Sequence, residues 1–446
     1  MKVIAAVLAV LFIVYLGAVF RSQSNDYLCP ECNIILVSVD TLRPDHLGCY
    51  GYDKNTSPNI DLFCEDSVVF KTAIAQAPST APSHASIFTS LIPSSHGAFF
   101  SRKAPIAEDV PTIAELLKST GFQTVSYNGG GQIVATFGFS RGFDLYQSYS
   151  EGDYTREFFV DRVKESIEWM EKNKERKFFL FLHSYEVHHP YSPAEEFLDD
   201  FAKSYKGSLP RNVRGPLLRA INRGVVKANQ EDRDYVKALY DAEIRSMDKG
   251  FGELVEYLKS SGLYDNSLII FTSDHGEEFD EHGSIGWHSH TLYDELLKVP
   301  LMIKFPGSSF AGKKISDQVR GIDITPTILD VIEQPILEHF QGASLLPLVR
   351  GEGKFDKFAV SQKDSRRPVP GSALRTNEWK LINHRLYDLE NDPTEQNNVA
   401  DDNPSIYESF RNMLERLIAR DRKEALDQFE IDPATLEQLR TLGYLD

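Results

Sequence analysis

Short apolar runs alternate with amphipathic segments from Asn33 to about Val360. Near-continuous apolar runs of this length are typical of strands buried on both faces of a parallel sheet. They predict strands at Asn33–Val39, 123–127, 178–183, Ser267–Ser273 and 300–305, with helices at 112–119, 156–172, 232–261 and 324–332. The alternation therefore predicts an α/β fold, with a mostly parallel central sheet flanked by helices.

The pattern changes after Val360, where the predicted elements become shorter. Segments 371–377, 379–383 and 385–388 predict a small antiparallel sheet, and 404–423 predicts a helical tail. We therefore expect an N-terminal segment at 1–22, a main catalytic domain at 33–365, and a C-terminal subdomain with the helical tail at 366–446. Residues 192–231 are polar and carry four arginines; they form either a solvated helical flank or an insertion that contacts an anionic substrate.

Residues 3–20 form an uncharged, almost wholly apolar run between Lys2 and Arg21. This length is at the lower limit of the ~17–25 residues that span a bilayer, and it exceeds the ~7–15 residues of a secretory-signal core. We predict an uncleaved signal-anchor, with a cleaved signal peptide as the alternative. The rest of the chain then lies on the extracytoplasmic side of a membrane, in a periplasm or at the cell exterior. It is secreted if the segment is removed.

Composition narrows the classes of function. The 446 residues are 41% hydrophobic and 25% charged, as in a globular protein with a large core. The net charge of −17 argues against a nucleic-acid partner, because such proteins present a basic face. The four cysteines, Cys29, Cys32, Cys49 and Cys64, favour two disulfides outside the cytosol. A redox pair or half of a zinc site at Cys29 and Cys32 is the alternative.

Candidate chemistry lies where two of the predicted buried strands end. Asp40 follows Asn33–Val39, and Asp274 and His275 follow Ser267–Ser273. Because ligands bind beyond the carboxyl ends of parallel strands, we expect these three side chains to converge. Two carboxylates and an imidazole suit a divalent metal ion.

A hydroxyl group is expected near the same place. The segment 77–84 (APSTAPSH) precedes a predicted helix at 85–91, so Ser79, Thr80 or Ser83 falls at the helix N-terminus. A hydroxyl there either caps the helix or attacks an ester whose oxyanion is held by the free backbone N–H groups. A metal ion on Thr80 would lower the pKa of the hydroxyl and so activate it.

Several segments, in order along residues 33–446, resemble the sulfatase family of the alkaline-phosphatase superfamily. The longest are 33–52 (NIILVSVDTLRPDHLGCYGY), 79–91 (STAPSHASIFTSL), 268–283 (LIIFTSDHGEEFDEHG) and 386–398 (LYDLENDPTEQNN). The resemblance implies that Asp40, Asp274 and His275 are metal ligands. It also implies that Thr80 is the nucleophile and a further metal ligand.

The resemblance implies roles for other side chains. His188, in the segment 184–191 (SYEVHHPY), would contact the anion or protonate the leaving group. His288 would face the substrate or a metal as a second catalytic residue, with His290 as the alternative. Arg43, His84 and His290 are expected to bind the substrate.

The departures from the family pattern change the expected reaction. Thr80 stands where sulfatases oxidise Cys or Ser to formylglycine, and His84 stands where they carry Arg. Threonine oxidation would give a ketone, so the aldehyde-hydrate mechanism is lost. Thr41 replaces the second Asp of a pair, and His275 replaces Asn. Because imidazole favours Zn²⁺ or Mn²⁺ over Ca²⁺, we expect a zinc or manganese site, with Ca²⁺ as the alternative.

We therefore predict a membrane-anchored, metal-dependent hydrolase or transferase that acts on anionic esters through a covalent ester on Thr80. The ester belongs to a lipid head group, a glycan or a small molecule, and phosphoester or phosphonate chemistry is favoured. One alternative is a true sulfatase. Another is a non-catalytic protein that holds an anionic glycan or lipid head group. A partner metal at His188, His288, Asp280 or Glu277 remains open.

Overall fold

The computed structural model describes residues 27–99, 103–148, 158–353, 355, 357–363 and 371–419. The predicted signal-anchor at 1–22 lies outside the described residues, as does the predicted end of the helical tail at 420–423. Across the ranges that are described, no helix is both long enough and apolar enough to cross a membrane.

The strands and helices include counterparts of the predicted strands together with others, such as β2 and β10, that were not predicted. In chain order, the strands are β1 (Asn33–Val39), β2 (Val68–Ile74), β3 (Gln123–Asn128), β4 (Leu145–Ser148), β5 (Phe178–Ser184), β6 (Ser267–Ser273), β7 (Glu278–Phe279), β8 (Ile285–Trp287), β9 (Lys298–Lys304), β10 (Lys314–Arg320), β11 (Ala359–Gln362), β12 (Ser372–Arg375), β13 (Trp379–Ile382) and β14 (Arg385–Asp388). The α-helices are α1 (Pro58–Glu65), α2 (Thr80–Thr89), α3 (Pro93–His96), α4 (Ile113–Ser119), α5 (Phe158–Asn173), α6 (Glu195–Ala202), α7 (Gly215–Asn222), α8 (Gln230–Ser260), α9 (Asp294–Leu297), α10 (Ile324–Val331), α11 (Leu346–Arg350) and α12 (Pro404–Ala419).

An eight-stranded sheet forms the centre of the molecule, in the order β10-β2-β9-β6-β1-β5-β3-β4. Its neighbouring strands are parallel except where β9 pairs with β2 and with β6. A second, four-stranded antiparallel sheet, β11-β12-β13-β14, lies towards the C-terminus and contacts α12. The predicted fold class, a mostly parallel sheet flanked by helices with a small C-terminal antiparallel sheet, is confirmed.

Both faces of the central sheet are buried. Along β1, Ile34 and Leu36 contribute to one apolar cluster, whereas Ile35 and Val37 contribute to the cluster on the opposite face. Successive side chains of a strand point to opposite faces, so a strand covered on both sides is apolar wherever its side chain has no hydrogen-bond partner. This explains the apolar run 34–37 of β1, whereas the buried Asn33 and Ser38 make hydrogen bonds.

The cysteines form one disulfide instead of the two that were predicted. Cys49 and Cys64 are bonded, and they join the turn after β1 to helix α1. Cys29 and Cys32 are free thiols, and the Cys32 thiol donates to the Cys29 carbonyl at 2.9 Å. The predicted second disulfide is therefore absent from the described residues, which include all four cysteines.

Candidate active site

Two carboxylates meet where strands β1 and β6 end. The strands are parallel neighbours with Val39 opposite Ser273, so the residues that follow them, Asp40 and Asp274, emerge side by side. Both side chains are fully buried. Nε2 of His275 lies 3.7 Å from Asp40 Oδ1 and 3.6 Å from Asp274 Oδ2. The structure thus brings these three predicted metal ligands into one cluster.

The hydroxyl of Thr80 lies in the same cluster. Thr80 is the first residue of α2, and Ser79 before it is extended. Thr80 Oγ1 donates to Asp40 Oδ2 at 3.2 Å and lies 3.5 Å from His275 Nε2. The hydroxyl therefore lies at the start of a helix, which begins at Thr80 instead of at the predicted residue 85, and it faces the carboxylates.

The donor atoms of Asp40, Thr80, Asp274 and His275, called the quartet below, fit a divalent cation. His275 Nδ1 lies 2.9 Å from the Gly276 carbonyl, which can only accept, so Nδ1 carries the proton and Nε2 presents a lone pair. Within the described part of the chain, Asp40 Oδ1 and Asp274 Oδ2 have no hydrogen-bond partner. Burial and the charge of Asp274 raise the pKa of Asp40 well above its ordinary value. A cation stabilises lone pairs and carboxylates that face one another in a buried site. Asp40, Thr80, Asp274 and His275 would therefore hold one.

Backbone contacts hold the two loops together. The His275 N–H donates to Asp274 Oδ1 at 2.9 Å, and Thr41, at a φ of 58°, directs its N–H at the same oxygen at 3.4 Å. The Ser83 hydroxyl donates to the Asp274 carbonyl at 2.6 Å. A β-branched residue at positive φ is strained, and such strain is found where the surrounding contacts fix the backbone. These contacts therefore fix the carboxylate of Asp274 and the start of helix α2.

The two histidines predicted as catalytic lie beside the quartet. The ring centroids of His188 and His288 are 4.9 Å apart, and His288 is 4.6 Å from His275. His288 Nδ1 lies 3.0 Å from Glu277 Oε1, and the Tyr191 hydroxyl donates to Glu277 Oε2 at 2.8 Å. Burial, and the neighbouring imidazoles, lower the pKa of both His188 and His288 well below the ordinary value. Both rings are therefore neutral near pH 7.

The Arg43 guanidinium donates hydrogen bonds to other groups of the protein. Nε and one terminal nitrogen donate to the two carboxylate oxygens of Asp45, at 3.0 and 2.7 Å. The other terminal nitrogen donates to Glu281 at 2.7 Å and to the Glu277 carbonyl at 2.9 Å. Arg43 thereby fixes the loop that follows His275, and its predicted contact with the substrate stays a prediction.

His84 and His290, also predicted to bind the substrate, make contacts inside the protein. The ring nitrogens of His84 lie 2.9 Å from Ser38 Oγ and 3.0 Å from the Thr80 carbonyl, and the side chain is fully buried. Nε2 of His290 lies 2.7 Å from Glu278 Oε2. These distances show what each imidazole contacts in the protein, and substrate binding by either residue stays a prediction.

His183 was missed by the sequence reasoning. It is the penultimate residue of strand β5, and its Nε2 lies 3.8 Å from Asp40 Oδ2. Its ring is fully buried, and neither ring nitrogen has a hydrogen-bond partner in the described part of the chain. The signal was present, because His183 follows an apolar run just as Asp40 follows β1. The predicted strand 178–183 counted it as part of the strand instead of the site.

One arginine of the segment 192–231 borders the site. The Arg219 guanidinium lies 5.5 Å from the ring centre of Trp287, and that ring also stacks on His189. Arg211, by contrast, pairs with Glu195 at 2.7 Å on an exposed surface. Helices α6 and α7 therefore form a flank that approaches the site at Arg219, and contact of that flank with a substrate stays a prediction.

The scaffold and the quartet define a class: an α/β protein with a buried group of side chains that could hold a divalent metal ion and a hydroxyl beside it. The chain belongs to the sulfatase family, whose model matches residues 32–333. A model described as the C-terminal region of N-sulphoglucosamine sulphohydrolase matches residues 281–424. The protein is accordingly a sulfatase-family hydrolase of the alkaline-phosphatase superfamily.

Relatives and solved structures agree with this membership. The chain is 23% identical to the N-acetylglucosamine-6-O-sulfatase of Bacteroides thetaiotaomicron, over 82% of each chain. It is 24% identical to an arylsulfatase of Clostridium perfringens, over 87% of this chain and 94% of the relative. The phosphonate monoester hydrolase of Agrobacterium radiobacter has the same fold, with a TM-score of 0.74 at 21% identity, over 87% of this chain and 96% of the other.

Proposed function

We propose that this protein hydrolyses or transfers phosphoryl groups of phosphoesters or phosphonate esters through a covalent ester on Thr80. The observation that carries the proposal is the position of Thr80 Oγ1, which lies 3.2 Å from Asp40 Oδ2 and 3.5 Å from His275 Nε2. A hydroxyl placed among metal-ligating groups is poised to act as a nucleophile.

The residue type at position 80 favours phosphorus over sulfur. A sulfatase that uses formylglycine releases sulfate through a hemiacetal, whereas Thr80 offers a plain hydroxyl and none of the four cysteines is at position 80. A phosphothreonine is open to attack by water or by an acceptor alcohol within the same site. Two relatives are named as sulfatases and one structural neighbour as a phosphonate monoester hydrolase, so sulfate esters are the second candidate substrates.

The residues of the quartet have different roles in the nucleophilic step. Asp40 Oδ2 accepts the hydrogen bond of the Thr80 hydroxyl and so receives its proton as Oγ1 bonds to phosphorus. The bond from phosphorus to the leaving oxygen breaks, and that oxygen takes its proton from water. Asp274 and His275 complete the ligand set, for which we favour Zn²⁺ or Mn²⁺ because of the imidazole. When bound, the cation would supply Lewis-acid stabilisation and lower the pKa of the Thr80 hydroxyl.

Trapping the covalent ester tests the proposal. The metal-loaded chain is incubated with aryl phosphate, phosphodiester, phosphonate and sulfate esters, quenched with acid during turnover, and digested for accurate-mass spectrometry. We expect a phosphoryl adduct on the peptide that contains Thr80. Thr80→Ala serves as the negative control, and Thr80→Ser is expected to restore the adduct. A sulfuryl adduct would favour the sulfatase alternative. Full turnover by Thr80→Ala would refute the nucleophile.

We further propose that the chain is anchored in a membrane with its catalytic domain on the extracytoplasmic side. The apolar run at 3–20 and the Cys49–Cys64 disulfide support this location, because disulfides persist in oxidising compartments. Fractionation of expressing cells checks it. The protein is expected in the membrane fraction, accessible to protease added from the extracytoplasmic side. Recovery in the cytosol would contradict the proposal.

A further inference from the structure

We propose that His188, His189 and His288 form a second divalent-cation site beside the quartet, and that this site is suited to Zn²⁺. One ligand nitrogen from each of the three rings lies within 4.8 Å of the other two, and all three side chains are buried. In a tetrahedral zinc site with Zn–N distances near 2.0 Å, ligand nitrogens are separated by about 3.3–3.5 Å. A small closure of the three rings therefore completes the site. Three histidines and an open fourth position are a known zinc arrangement.

Hydrogen bonds orient two of the rings for this purpose. His188 Nδ1 contacts the His189 carbonyl, which can only accept, so the proton of His188 sits on Nδ1. His288 Nδ1 is directed in the same way at the Glu277 carboxylate, at 3.0 Å. Each ring therefore presents Nε2 as its lone-pair nitrogen. A histidine held through its other nitrogen by a carboxylate or a carbonyl is the usual outer support of a zinc ligand.

Glu277 is fixed in turn by the rest of the fold. It is fully buried, and its second oxygen accepts from the Tyr191 hydroxyl at 2.8 Å. A fixed carboxylate holds the ring of His288 in one orientation, and it raises the basicity of the ligand nitrogen. On the side of His288, the site would therefore have a fixed set of hydrogen-bonded groups behind the ligand ring.

His189 is held by stacking. Its ring lies 4.2 Å from that of His188, with 25° between the planes, and 5.5 Å from that of Trp287, with 20° between the planes. Gly215, at the start of α7, comes so close that a β-carbon there would lie 3.1 Å from His189 Nε2. The flank formed by α7 thus presses the third ring against the other two.

The position of the site gives it a role in the proposed reaction. The rings of His288 and His275 are 4.6 Å apart, so the two cations would be neighbours. In paired-metal sites, one cation serves the attacking oxygen and the other the leaving oxygen. From the sequence, His188 was expected to contact the anion or protonate the leaving group, and His288 to face the substrate or a metal. With their protons on Nδ1, they would instead assist the leaving group by holding a cation.

Metal stoichiometry of the full chain tests the inference. The protein is stripped with chelator, dialysed against Zn²⁺, and analysed by elemental mass spectrometry. We expect two zinc ions per wild-type chain and one in His189→Phe, which keeps the stacking but removes the nitrogen. His288→Gln, which keeps a donor to Glu277, is also expected to hold one. His290→Gln is the matched control, two residues from His288, and is expected to hold two.

A second readout separates loss of a site from loss of the fold. Circular dichroism and the melting temperature of each metal-free variant should match those of the wild type, and Co²⁺ titration should show two visible spectra in wild type and one in His189→Phe. Binding of a single zinc by wild type, or of two by His189→Phe, would overturn the inference. The metal count does not depend on whether Thr80 forms a phosphoryl ester, so the inference and the proposed function can fail separately.

Discussion

The proposed reaction depends on one atom, the hydroxyl oxygen of Thr80. This oxygen lies within 3.5 Å of both Asp40 and His275, and the β-methyl group takes no part in those contacts. Serine at position 80 would keep the oxygen at the first position of α2, whereas valine would keep the volume and the branching but lose the oxygen.

The first prediction follows from this geometry. Thr80→Val is expected to reduce kcat by at least about 10³-fold, because no other group replaces the nucleophile. Thr80→Ser is expected to keep kcat within about tenfold of the wild type. Steady-state kinetics at saturating metal, with metal content measured for each variant, checks the expectation. Comparable rates for Thr80→Val and Thr80→Ser would contradict it.

The second prediction concerns Asp40 in the metal-free protein. Two buried carboxylates that face each other destabilise the fold when no cation lies between them, so Asp40→Asn is expected to raise the free energy of unfolding by about 1–3 kcal/mol in chelator. Zn²⁺ is expected to stabilise wild type more than the variant, which keeps only the histidine site. Urea unfolding with and without Zn²⁺ measures both effects. Asp53→Asn, at an exposed position between β1 and α1, is the control and should change neither quantity.

At the scale of elements, strands covered on both faces were predicted most accurately. The predictions for β1 and β6 coincide with the observed strands, because every position of these strands is buried and most positions are therefore apolar. Strands β2 and β10 were not predicted. β2 carries Lys71, and β10 (KISDQVR) has a polar, partly exposed pattern at the edge of the sheet. An edge strand is fixed by its pairing partner instead of by its own periodicity.

Gly142 gives a test of packing between elements. Its φ is +83°, and a β-carbon there would lie 2.2 Å from the backbone nitrogen of Glu115 in helix α4. Gly142→Ala is therefore expected to cost about 2–4 kcal/mol, from backbone strain together with the forced displacement of α4. Gly224→Ala is the matched control, since its φ is +70° with no atom within 4 Å, and should cost only about 1 kcal/mol. Chemical denaturation measures the loss of unfolding free energy in both variants. Equal losses would contradict the prediction, because they would show that α4 moves aside without cost.

At the scale of the whole molecule, buried ion pairs join the small sheet to the region of the active site. Lys380 in β13 is fully buried, and its ammonium lies 2.7 Å from Asp294 and 2.8 Å from Glu395. Arg375 in β12 also pairs with Asp294, at 2.9 Å. Asp294 begins α9, which leads directly into β9 of the central sheet.

Removing Lys380 should therefore weaken this junction. Lys380→Met is expected to cost about 3–5 kcal/mol, because it leaves buried carboxylates without their cation. Lys54→Met is the control: its ammonium also contacts a buried carboxylate, that of Asp241, but the Lys54 side chain is 46% exposed. It should cost no more than about 1 kcal/mol. Unfolding monitored by tryptophan fluorescence checks both values, and a small effect at Lys380 would contradict the importance of the junction.

The same region should make stability depend on pH. Burial disfavours the charged form of His282, but the Glu295 carboxylate 2.7 Å away outweighs it and raises the pKa of His282 above its ordinary value. A raised folded-state pKa stabilises the fold below the unfolded-state value, and this contribution is lost as pH rises through the folded-state value. His282→Gln should therefore destabilise the protein more at pH 5.5 than at pH 8.5. Urea unfolding at both values measures the difference, and an equal effect would refute the assignment.

The sequence by itself determined which residues end the buried strands, because local periodicity acts over a few residues. From these it predicted the fold class and the convergence of Asp40, Asp274 and His275, whereas the choice of Thr80 among Ser79, Thr80 and Ser83 came from the resemblance to the sulfatase family. Only the tertiary structure decided how close those atoms lie, which nitrogen of each imidazole carries the proton, and that His189 joins His188 and His288. These features depend on contacts between residues far apart in the chain, such as Tyr191 with Glu277, and no local pattern encodes such contacts.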